Sequence, residues 1–308
     1  MTVPERVAIV GAGTIGSGWA ALFAACGAEV RIFDADMGAE RRARAALTDA
    51  VRAGAGVAHM GSVNAYVDLD DAVRGAEWVQ ESLPERLDLK RAMLGAVERA
   101  LAPGAIVASS SSTFTATELA AGRGCADRLL VVHPLNPVYA VPVVEVSAGE
   151  MTAPESTARA MAVLRALGRE PVLVRGAVPG LVANRLTAAL LREAFDLVAR
   201  GVVSAGELDR IVARGIALGW TAAGALGTEA IGAGGLAAFV ERFAEPLARL
   251  WGSLADWQAL TPERRAALLA AAREPGYGSM AHDTGDLAWA ETLARIVRAA
   301  EGGDGEAA

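Results

Sequence analysis

The sequence predicts an α/β chain in which a doubly wound parallel sheet, with helices on both faces, is followed by an all-α domain. Up to about residue 176, short apolar runs alternate with helical stretches, which is typical of parallel strands joined by crossover helices. Beyond that point the sequence has helical stretches and no convincing series of strands. The length of 308 residues suits two domains, and we expect them to span 1–177 and 178–308.

Each element has a local signature. The first strand is the apolar run 6–10, and a glycine cluster and an alanine-rich helix follow it. Gly27 is expected to end that helix, and the next strand, 29–33, leads to Asp34. Further strands are expected at 76–80, 106–108, 129–132, 141–144 and 171–174, with helices at 37–54 and 85–101. The helices of the second domain are expected at 181–200, 205–218, 229–251, 262–273 and 284–300.

Charge and hydropathy exclude several classes of function. The net charge is −7 and no basic cluster is present, so the chain lacks an electrostatic basis for binding nucleic acid or an anionic membrane. No stretch is apolar throughout for the roughly 18 residues that a membrane-spanning helix needs. The N-terminus runs straight into the first strand without the basic and apolar segments of a leader, and a cytoplasmic location is expected.

The metal-ligating residue types show no site pattern. Cys26 and Cys125 do not belong to CxxC pairs, which argues against both a disulfide framework and a thiolate metal site. The three histidines have no metal-ligand spacing. We therefore expect no bound metal.

A glycine-rich motif follows the first strand. Gly11-Ala-Gly13-Thr14-Ile15-Gly16 has the GxGxxG spacing and lies where a strand ends and a helix begins, as a Rossmann-type dinucleotide site requires. Gly11 permits a tight turn, Gly13 lets the backbone approach a pyrophosphate, and Gly16 lets helix and strand pack closely. The first turn of the helix, with Thr14 and Ile15, offers unpaired N–H groups to the phosphates.

An acidic residue ends the second strand. Asp34 can accept hydrogen bonds from the adenosine ribose, and its charge would repel a 2′-phosphate. Ala35 and Asp36 follow it, so no adjacent basic residue favours NADP. Arg41 and Arg42 lie further along and are expected to be solvated. The sequence therefore predicts NAD as the cofactor.

Two titratable residues further along could transfer a proton. His133 ends a strand, and the carboxyl ends of the strands face the ligand crevice of a doubly wound sheet. A histidine takes and returns protons near neutral pH, as the oxidation of a hydroxyl requires when hydride leaves its carbon. Glu145, after the next apolar strand, could hold one ring nitrogen and stabilise the imidazolium.

Longer motifs point to one family. They are GAGTIGSGWA at 11–20, QESLPERLDLK at 80–90, the serines at 109–112, HPLNP at 133–137, Glu145 and GLVANR at 180–185. In this order and spacing the chain resembles the 3-hydroxyacyl-CoA dehydrogenase superfamily, most closely its branch of lambda-crystallin and L-gulonate 3-dehydrogenase. The resemblance covers nearly the whole chain.

The resemblance implies a catalytic set that consists of a His–Glu pair, a serine and an asparagine. The corresponding positions are His133, Glu145, Ser112 and Asn184. Because the run is rich in hydroxyl residues, Ser111 and Thr113 remain alternatives to Ser112. The hydroxyl of Ser112 and the amide of Asn184 could hydrogen-bond the substrate oxygen and polarise it. Cofactor contacts carry over to Glu85, Lys90 and Ser110.

The resemblance also implies the activity. The chain is expected to be an NAD-dependent oxidoreductase that transfers a hydride between the nicotinamide and the 3-hydroxy or 3-keto carbon of a small hydroxy acid or acyl thioester. A homodimer held together by the helical domain is expected on the same ground. Two alternatives stay open: a dehydrogenase of CoA- or carrier-bound hydroxyacyl groups in a specialised biosynthetic pathway, and a non-catalytic, crystallin-like protein. The intact His133–Glu145 pair disfavours the second alternative.

One segment of the helical domain departs from the resemblance. The lambda-crystallin branch has an arginine where this chain has Gly219 and a proline where it has Ala225. An arginine would suit a carboxylate through a bidentate pair. Its absence argues against gulonate and similar free acids and in favour of a larger or less anionic substrate.

Overall fold

The computed structural model describes residues 2–54, 60–273 and 286–301. They divide into two compact units. The first unit contains the residues up to Arg185 together with Leu287–Val297. The second unit contains the residues from Leu186 to Asp286 together with those from Arg298 onward. The described part of the first unit contains all the strands, and that of the second contains helices. The predicted fold class is confirmed.

Eight strands of the described residues form a single sheet in the order β3-β2-β1-β4-β5-β6-β7-β8. The bounds are β1 Arg6–Val10, β2 Glu29–Phe33, β3 Ser62–Tyr66, β4 Trp78–Glu81, β5 Ile106–Ser109, β6 Leu129–Pro134, β7 Val143–Ala148 and β8 Glu170–Leu173. Neighbouring strands run parallel except β6 and β7, which are antiparallel. The ends of β1, β2, β4, β5 and β6 and the start of β7 therefore meet at one edge, which we call the carboxyl edge.

The helices of the first unit cover the sheet. They are α1 Thr14–Ala25, α2 Ala39–Arg52, α3 Leu69–Val73, α4 Leu87–Ala100, α5 Ala116–Ala120, α6 Pro154–Ala166 and most of α12 Asp286–Glu301, and a 3₁₀ turn spans Ala126–Arg128. Helix α1 is buried from Gly16 to Ala25. Its Trp19 and Phe23 stack with ring centroids 5.9 Å apart, and Phe23 lies 5.8 Å from Trp78 of β4. This packing fixes the glycine loop against the sheet.

Four elements, among them the five-residue helix α5, were missing from the sequence prediction, and one pairing differed from it. Strand β3 has a single buried residue, Val63, and so lacks the continuous apolar run of a buried strand. Helices α3 and α6 were not predicted either; α3 is only five residues long. The predicted parallel sheet reverses at β7, because the connection 135–142 is too short for a crossover helix.

The second unit is built from helices among its described residues. Helix α7 Ala183–Ala199 leads into it, and α8 Ala205–Ile211, a π turn at Val212–Ile216, α9 Ala217–Ala233, α10 Leu236–Trp251 and α11 Pro262–Ala271 follow. The predicted continuous helix 229–251 is wrong. Gly234 and Gly235 have φ angles of 81° and 123°, and this left-handed backbone ends α9 before α10 begins.

Within the described ranges, no helix taken singly has both the length and the apolar character to cross a membrane. One bent pair, Ala205–Ala233 with Leu236–Trp251, meets those criteria by length and composition alone.

Candidate active site

The glycine loop between β1 and α1 has the backbone of a phosphate cradle. Gly11 has a positive φ of 87°, and a Cβ on Gly16 would lie 1.9 Å from the Gly11 carbonyl oxygen, so neither position admits a side chain. A Cβ on Gly13 would have no atom within 4 Å, so the loop is open where a pyrophosphate would approach. No side chain caps α1 at Gly13, and the N–H groups of Thr14 and Ile15 lie at the helix N-terminus. These features fit NAD.

Asp34 lies beside this loop. Its Oδ2 accepts a hydrogen bond from the Ala12 N–H at 2.6 Å, and its Oδ1 accepts one from the Asp36 N–H at 2.7 Å. The carboxylate is thereby fixed where the adenosine ribose binds in this topology. The prediction that Arg42 is simply solvated is wrong, because its Nε donates to the Ala12 carbonyl oxygen at 3.1 Å.

His133 and Glu145 form a buried pair at the carboxyl edge. The antiparallel register places them directly opposite each other on β6 and β7, and such partners point to the same face of a sheet. His133 Nδ1 lies 3.0 Å from Glu145 Oε2, and the two side chains are only 8% and 5% exposed. Because a carboxylate accepts hydrogen bonds, Nδ1 carries the proton of the neutral ring and Nε2 is left as an acceptor.

The second oxygen of Glu145 holds the start of helix α7. Glu145 Oε1 accepts hydrogen bonds from the Val182 N–H at 2.8 Å and from the Ala183 N–H at 3.0 Å. Asn184 is the next residue. One carboxylate therefore fixes both the imidazole of His133 and the backbone that carries Asn184, a link that the sequence did not indicate.

Glu85 organises the serine run that follows β5. Its Oε1 accepts hydrogen bonds from Ser111 Oγ, from the Ser112 N–H at 3.1 Å, and from the Thr113 N–H and Oγ1 at 2.9 and 2.7 Å. Glu85 was predicted as a cofactor contact. Its hydrogen bonds within the protein give it a second task, which is to hold the loop that presents Ser112.

Ser112 differs from its neighbours in the run because its hydroxyl is not bonded to Glu85. The hydroxyls of Ser111 and Thr113 both donate to Glu85, whereas Ser112 Oγ has no hydrogen-bond partner among the described residues. The side chain of Asn184 is exposed and has none within the same ranges. This distribution favours Ser112 over the two alternatives that the sequence left open.

A buried ion-pair cluster lies under the serine run. Lys90 Nζ lies 2.9 and 3.2 Å from the carboxylate oxygens of Glu81 and 3.3 Å from Glu85 Oε2. The side chains of Lys90 and Glu81 are 1% and 0% exposed, and Ser109 Oγ donates to Glu81 Oε2. The sequence prediction missed Glu81 and Ser109. Their signal was a polar residue at the end of each of two buried strands.

The hydroxyl of Ser110 joins three other side chains. It accepts hydrogen bonds from Trp19 Nε1 at 3.2 Å and from Gln80 Nε2 at 2.9 Å, and it lies 2.8 Å from Ser82 Oγ. Trp19 is fully buried, and its indole N–H orients Ser110. Ser110 thus links α1, β4 and β5 beside the glycine loop.

The pKa of Glu85 gives a test of the serine loop. Partial burial raises the pKa of this carboxyl, but hydrogen bonds from Ser111 and Thr113 and the charge of Lys90 outweigh burial and lower the pKa from 4.5 to about 2. The ionised carboxylate therefore stabilises the folded state above pH 4.5, and this stabilisation is lost as the pH falls towards about 2.

In the Glu85→Gln variant, the free energy of unfolding should consequently fall less steeply than in the wild type between pH 4.5 and about 2. Urea titrations at several pH values measure the two slopes. Identical slopes would contradict the role assigned to Glu85.

In the part of the chain that the structure describes, no group of three His, Cys, Asp or Glu side chains is placed to hold a metal ion.

Two domain families match consecutive parts of the chain. Residues 6–177 match the 3-hydroxyacyl-CoA dehydrogenase NAD binding domain, and residues 180–266 match the 3-hydroxyacyl-CoA dehydrogenase C-terminal domain. The first match includes the glycine loop and the His133–Glu145 pair, and the second includes Asn184.

Curated relatives align over most of the chain. The L-carnitine dehydrogenase of Streptomyces coelicolor is 40% identical over 265 residues, which cover 83% of this chain and 83% of the relative. The L-carnitine dehydrogenase/betainyl-CoA thioesterase of Ruegeria pomeroyi is 38% identical over 83% of this chain, which spans only 54% of that protein. The lambda-crystallin homolog of Bos taurus is 34% identical, with 85% of this chain and 86% of the relative covered.

A solved structure matches both units. The chain is similar to 5-formyl-3-hydroxy-2-methylpyridine 4-carboxylic acid 5-dehydrogenase, described as an NAD⁺-dependent dismutase, with a TM-score of 0.83 and 30% identity. The match covers 98% of this chain and 99% of that structure.

Proposed function

This chain belongs to the 3-hydroxyacyl-CoA dehydrogenase family, and on that premise we propose a role for each residue of its site. The chain is an NAD-dependent oxidoreductase that acts on a CH–OH group. We propose that His133 and Glu145 are its acid–base pair. The observation that carries this proposal is their buried contact of 3.0 Å at the edge of the sheet that also carries the glycine loop.

His133 is the group that takes the substrate proton. When bound, NAD supplies the acceptor for the hydride that leaves the carbinol carbon. His133 Nε2 accepts the proton of the hydroxyl, and Glu145 stabilises the imidazolium through Nδ1. Ser112 Oγ and the amide of Asn184 donate to the substrate oxygen and orient it. In the reverse direction His133 returns the proton to the alcohol oxygen.

The remaining site residues hold the cofactor in this proposal. Gly11, Gly13 and Gly16, with the first-turn N–H groups of Thr14 and Ile15, receive the pyrophosphate.

The other cofactor contacts lie along the carboxyl edge. Asp34 accepts hydrogen bonds from the adenosine ribose. Glu85 and Ser110 line the nicotinamide side, as the family likeness implies, whereas Lys90, which the likeness also includes, is buried and acts through its ion pair with Glu85.

We propose a small hydroxy acid with little net negative charge, such as the zwitterion L-carnitine, as the substrate. The relatives from Streptomyces and Ruegeria are named for L-carnitine. In helix α9, a Cβ on Gly219 would lie 2.8 Å from Thr228 Cγ2, so Thr228 occupies space that an arginine side chain would enter. A substrate whose own cation balances its carboxylate has less need of such an arginine.

A panel of alcohols tests the substrate proposal. The purified protein with NAD⁺ is offered L-carnitine, L-gulonate, 3-hydroxybutyrate and 3-hydroxybutyryl-CoA, and NADH formation is followed. We expect the highest kcat/KM with L-carnitine and little turnover of L-gulonate. The highest value with the CoA thioester would establish the carrier-bound alternative instead. No NADH from any 3-hydroxy compound would contradict the proposed function.

We propose that the second unit holds a homodimer together. Among the described residues of α7 to α10, Ala194 is the only buried one, and Leu226 and Ile231 are 68% and 76% exposed. Apolar surface of this extent is typical of an association interface.

Light scattering after size exclusion should therefore give twice the chain mass of 31.6 kDa. Ile231→Asp should reduce that mass, whereas Arg249→Asp, at an exposed polar position of α10, should not. A single-chain mass for the wild type would contradict the dimer.

Two further proposals concern location and domain boundaries. Cys26 and Cys125 are free thiols, which supports a reducing, cytoplasmic compartment. The family matches to 6–177 and 180–266 support a boundary between an NAD-binding domain at 1–177 and a substrate and dimerisation domain at 178–308.

A further inference from the structure

We propose that Asp36, with Asp34, prevents Arg41 and Arg42 from binding the 2′-phosphate of NADP, so that Asp36 helps to determine the preference for NAD. This inference rests on the proposed function, because it concerns the cofactor subsite of the same enzyme. It assigns a task to three charged residues that the hydride-transfer mechanism does not use.

Arg42 reaches back from helix α2 to the glycine loop. Its Nε donates to the Ala12 carbonyl oxygen at 3.1 Å, and its Nη1 is paired with Asp36 Oδ2. The side chain is 39% exposed, so a ligand at the loop can reach it. An arginine so placed is available to a ligand at the loop once its partner is removed.

The peptide groups of Ala12 connect this arginine with the ribose site. The Ala12 N–H donates to Asp34, whose other oxygen accepts from the Asp36 N–H at 2.7 Å. The Ala12 carbonyl oxygen accepts from Arg42. Asp34, the acid that would bind the ribose hydroxyls, and the guanidinium of Arg42 are therefore both hydrogen-bonded to Ala12 of the loop. A phosphate on the ribose 2′-oxygen would lie close to both.

Arg41 joins the same cluster around Gly38. A Cβ built on Gly38 would lie 3.3 Å from Arg42 Nη1, 3.3 Å from Asp36 Oδ1 and 3.6 Å from Arg41 Nη2. Gly38 N–H also donates to Asp36 Oδ1 at 2.8 Å, which holds the carboxylate beside the guanidinium of Arg42, with which it is paired. The site therefore has two arginines of the kind that a phosphate monoester prefers, and one of them, Arg42, is paired with the carboxylate of Asp36.

Electrostatics then explains the selectivity. A 2′-phosphate carries up to two negative charges and would meet the carboxylates of Asp34 and Asp36 at short range, which is repulsive. A ribose 2′-hydroxyl meets no such penalty and can donate to Asp34. Removing one carboxylate reduces the repulsion, and removing Asp36 also frees the guanidinium of Arg42 for a charge-assisted hydrogen bond.

Binding of two nucleotides that differ only in the 2′-phosphate tests the inference without turnover. Calorimetry gives the affinities of 2′,5′-ADP and 5′-AMP for the wild type and for Asp36→Asn, in which the amide oxygen can still accept from Gly38 N–H. We expect Asp36→Asn to tighten 2′,5′-ADP binding about tenfold, the gain of one charge-assisted hydrogen bond, and to leave 5′-AMP unchanged. The double variant Asp34→Ser/Asp36→Asn should bind 2′,5′-ADP more tightly still and should also bind NADPH.

Two controls make the result specific. Asp36→Asn/Arg42→Ala should lose the gain, because the freed guanidinium is what binds the phosphate. Asp71→Asn removes the same charge from the exposed Arg74–Asp71 pair and should change neither affinity. Unchanged 2′,5′-ADP affinity in Asp36→Asn, or an equal gain in Asp71→Asn, would overturn the inference. Failure of the wild type to bind NADH would instead contradict the proposed function.

Discussion

Replacement of His133 by alanine is expected to lower kcat by roughly 10²–10⁴-fold, the usual contribution of a general acid–base group, and to leave NADH affinity unchanged. Without the imidazole, the substrate hydroxyl loses the proposed base that takes its proton as hydride leaves. In the proposed site the pyrophosphate and adenosine contacts are Gly11–Gly16 and Asp34, next to β1 and β2, and strands β4 and β5 separate β1 from β6. Steady-state kinetics with the substrate from the panel, and fluorescence titration with NADH, measure the two quantities.

A second variant separates chemistry from folding. His133→Asn keeps a donor for Glu145 in the buried site but has no group that titrates. It should lose as much turnover as His133→Ala while keeping more of the wild-type thermal stability. Wild-type turnover in either variant would remove His133 from the mechanism.

Replacement of Glu145 by glutamine is expected to lower kcat by a similar factor, roughly 10²–10⁴-fold, through the tautomer of His133. The amide oxygen is expected to face the N–H groups of Val182 and Ala183, which donate to Glu145 Oε1 in the wild type. The amide NH₂ then donates to His133 Nδ1, so the ring proton moves to Nε2 and blocks the nitrogen that must accept the substrate proton.

Glu145→Ala is the matched variant for stability. It removes the acceptor of both Val182 and Ala183, and hydrogen bonds to a charged group are worth about 1.5–3 kcal/mol each. Urea unfolding should therefore show a loss of roughly 2 kcal/mol or more in Glu145→Ala and a smaller loss in Glu145→Gln. Full activity in the glutamine variant would show that Glu145 does not set the tautomer of His133.

The parts of the site that follow from adjacent residues could be predicted from the sequence. The glycine loop and Asp34 belong to one strand–turn–helix–strand segment, so their geometry is decided locally. His133 and Glu145 were predicted by residue type and strand position. Their contact depends on the antiparallel register of β6 and β7, which a pattern of apolar runs does not specify.

Other features depend on tertiary contacts between distant residues. From the sequence alone, Lys90 and Glu81 are expected at the surface, because lysine and glutamate are rarely buried unless they are paired. Their pairing joins α4 to β4, which lie apart in the sequence. The choice of Ser112 depends on which hydroxyls Glu85 engages. The contact of Arg42 with the glycine loop depends on how α2 packs against α1, which the sequence pattern does not specify.

The most direct test of the central claim is the fate of a deuterium label on the 3-carbon of the substrate. NMR of the nicotinamide after reaction with NAD⁺ shows where the label goes, and a parallel reaction with His133→Ala shows whether its transfer needs the imidazole. The proposed mechanism predicts deuterium on C4 of the reduced nicotinamide with the wild type, and transfer slowed by roughly 10²–10⁴-fold in the variant. Label retained in the oxidised product or released to water, or transfer at the wild-type rate in His133→Ala, would contradict it.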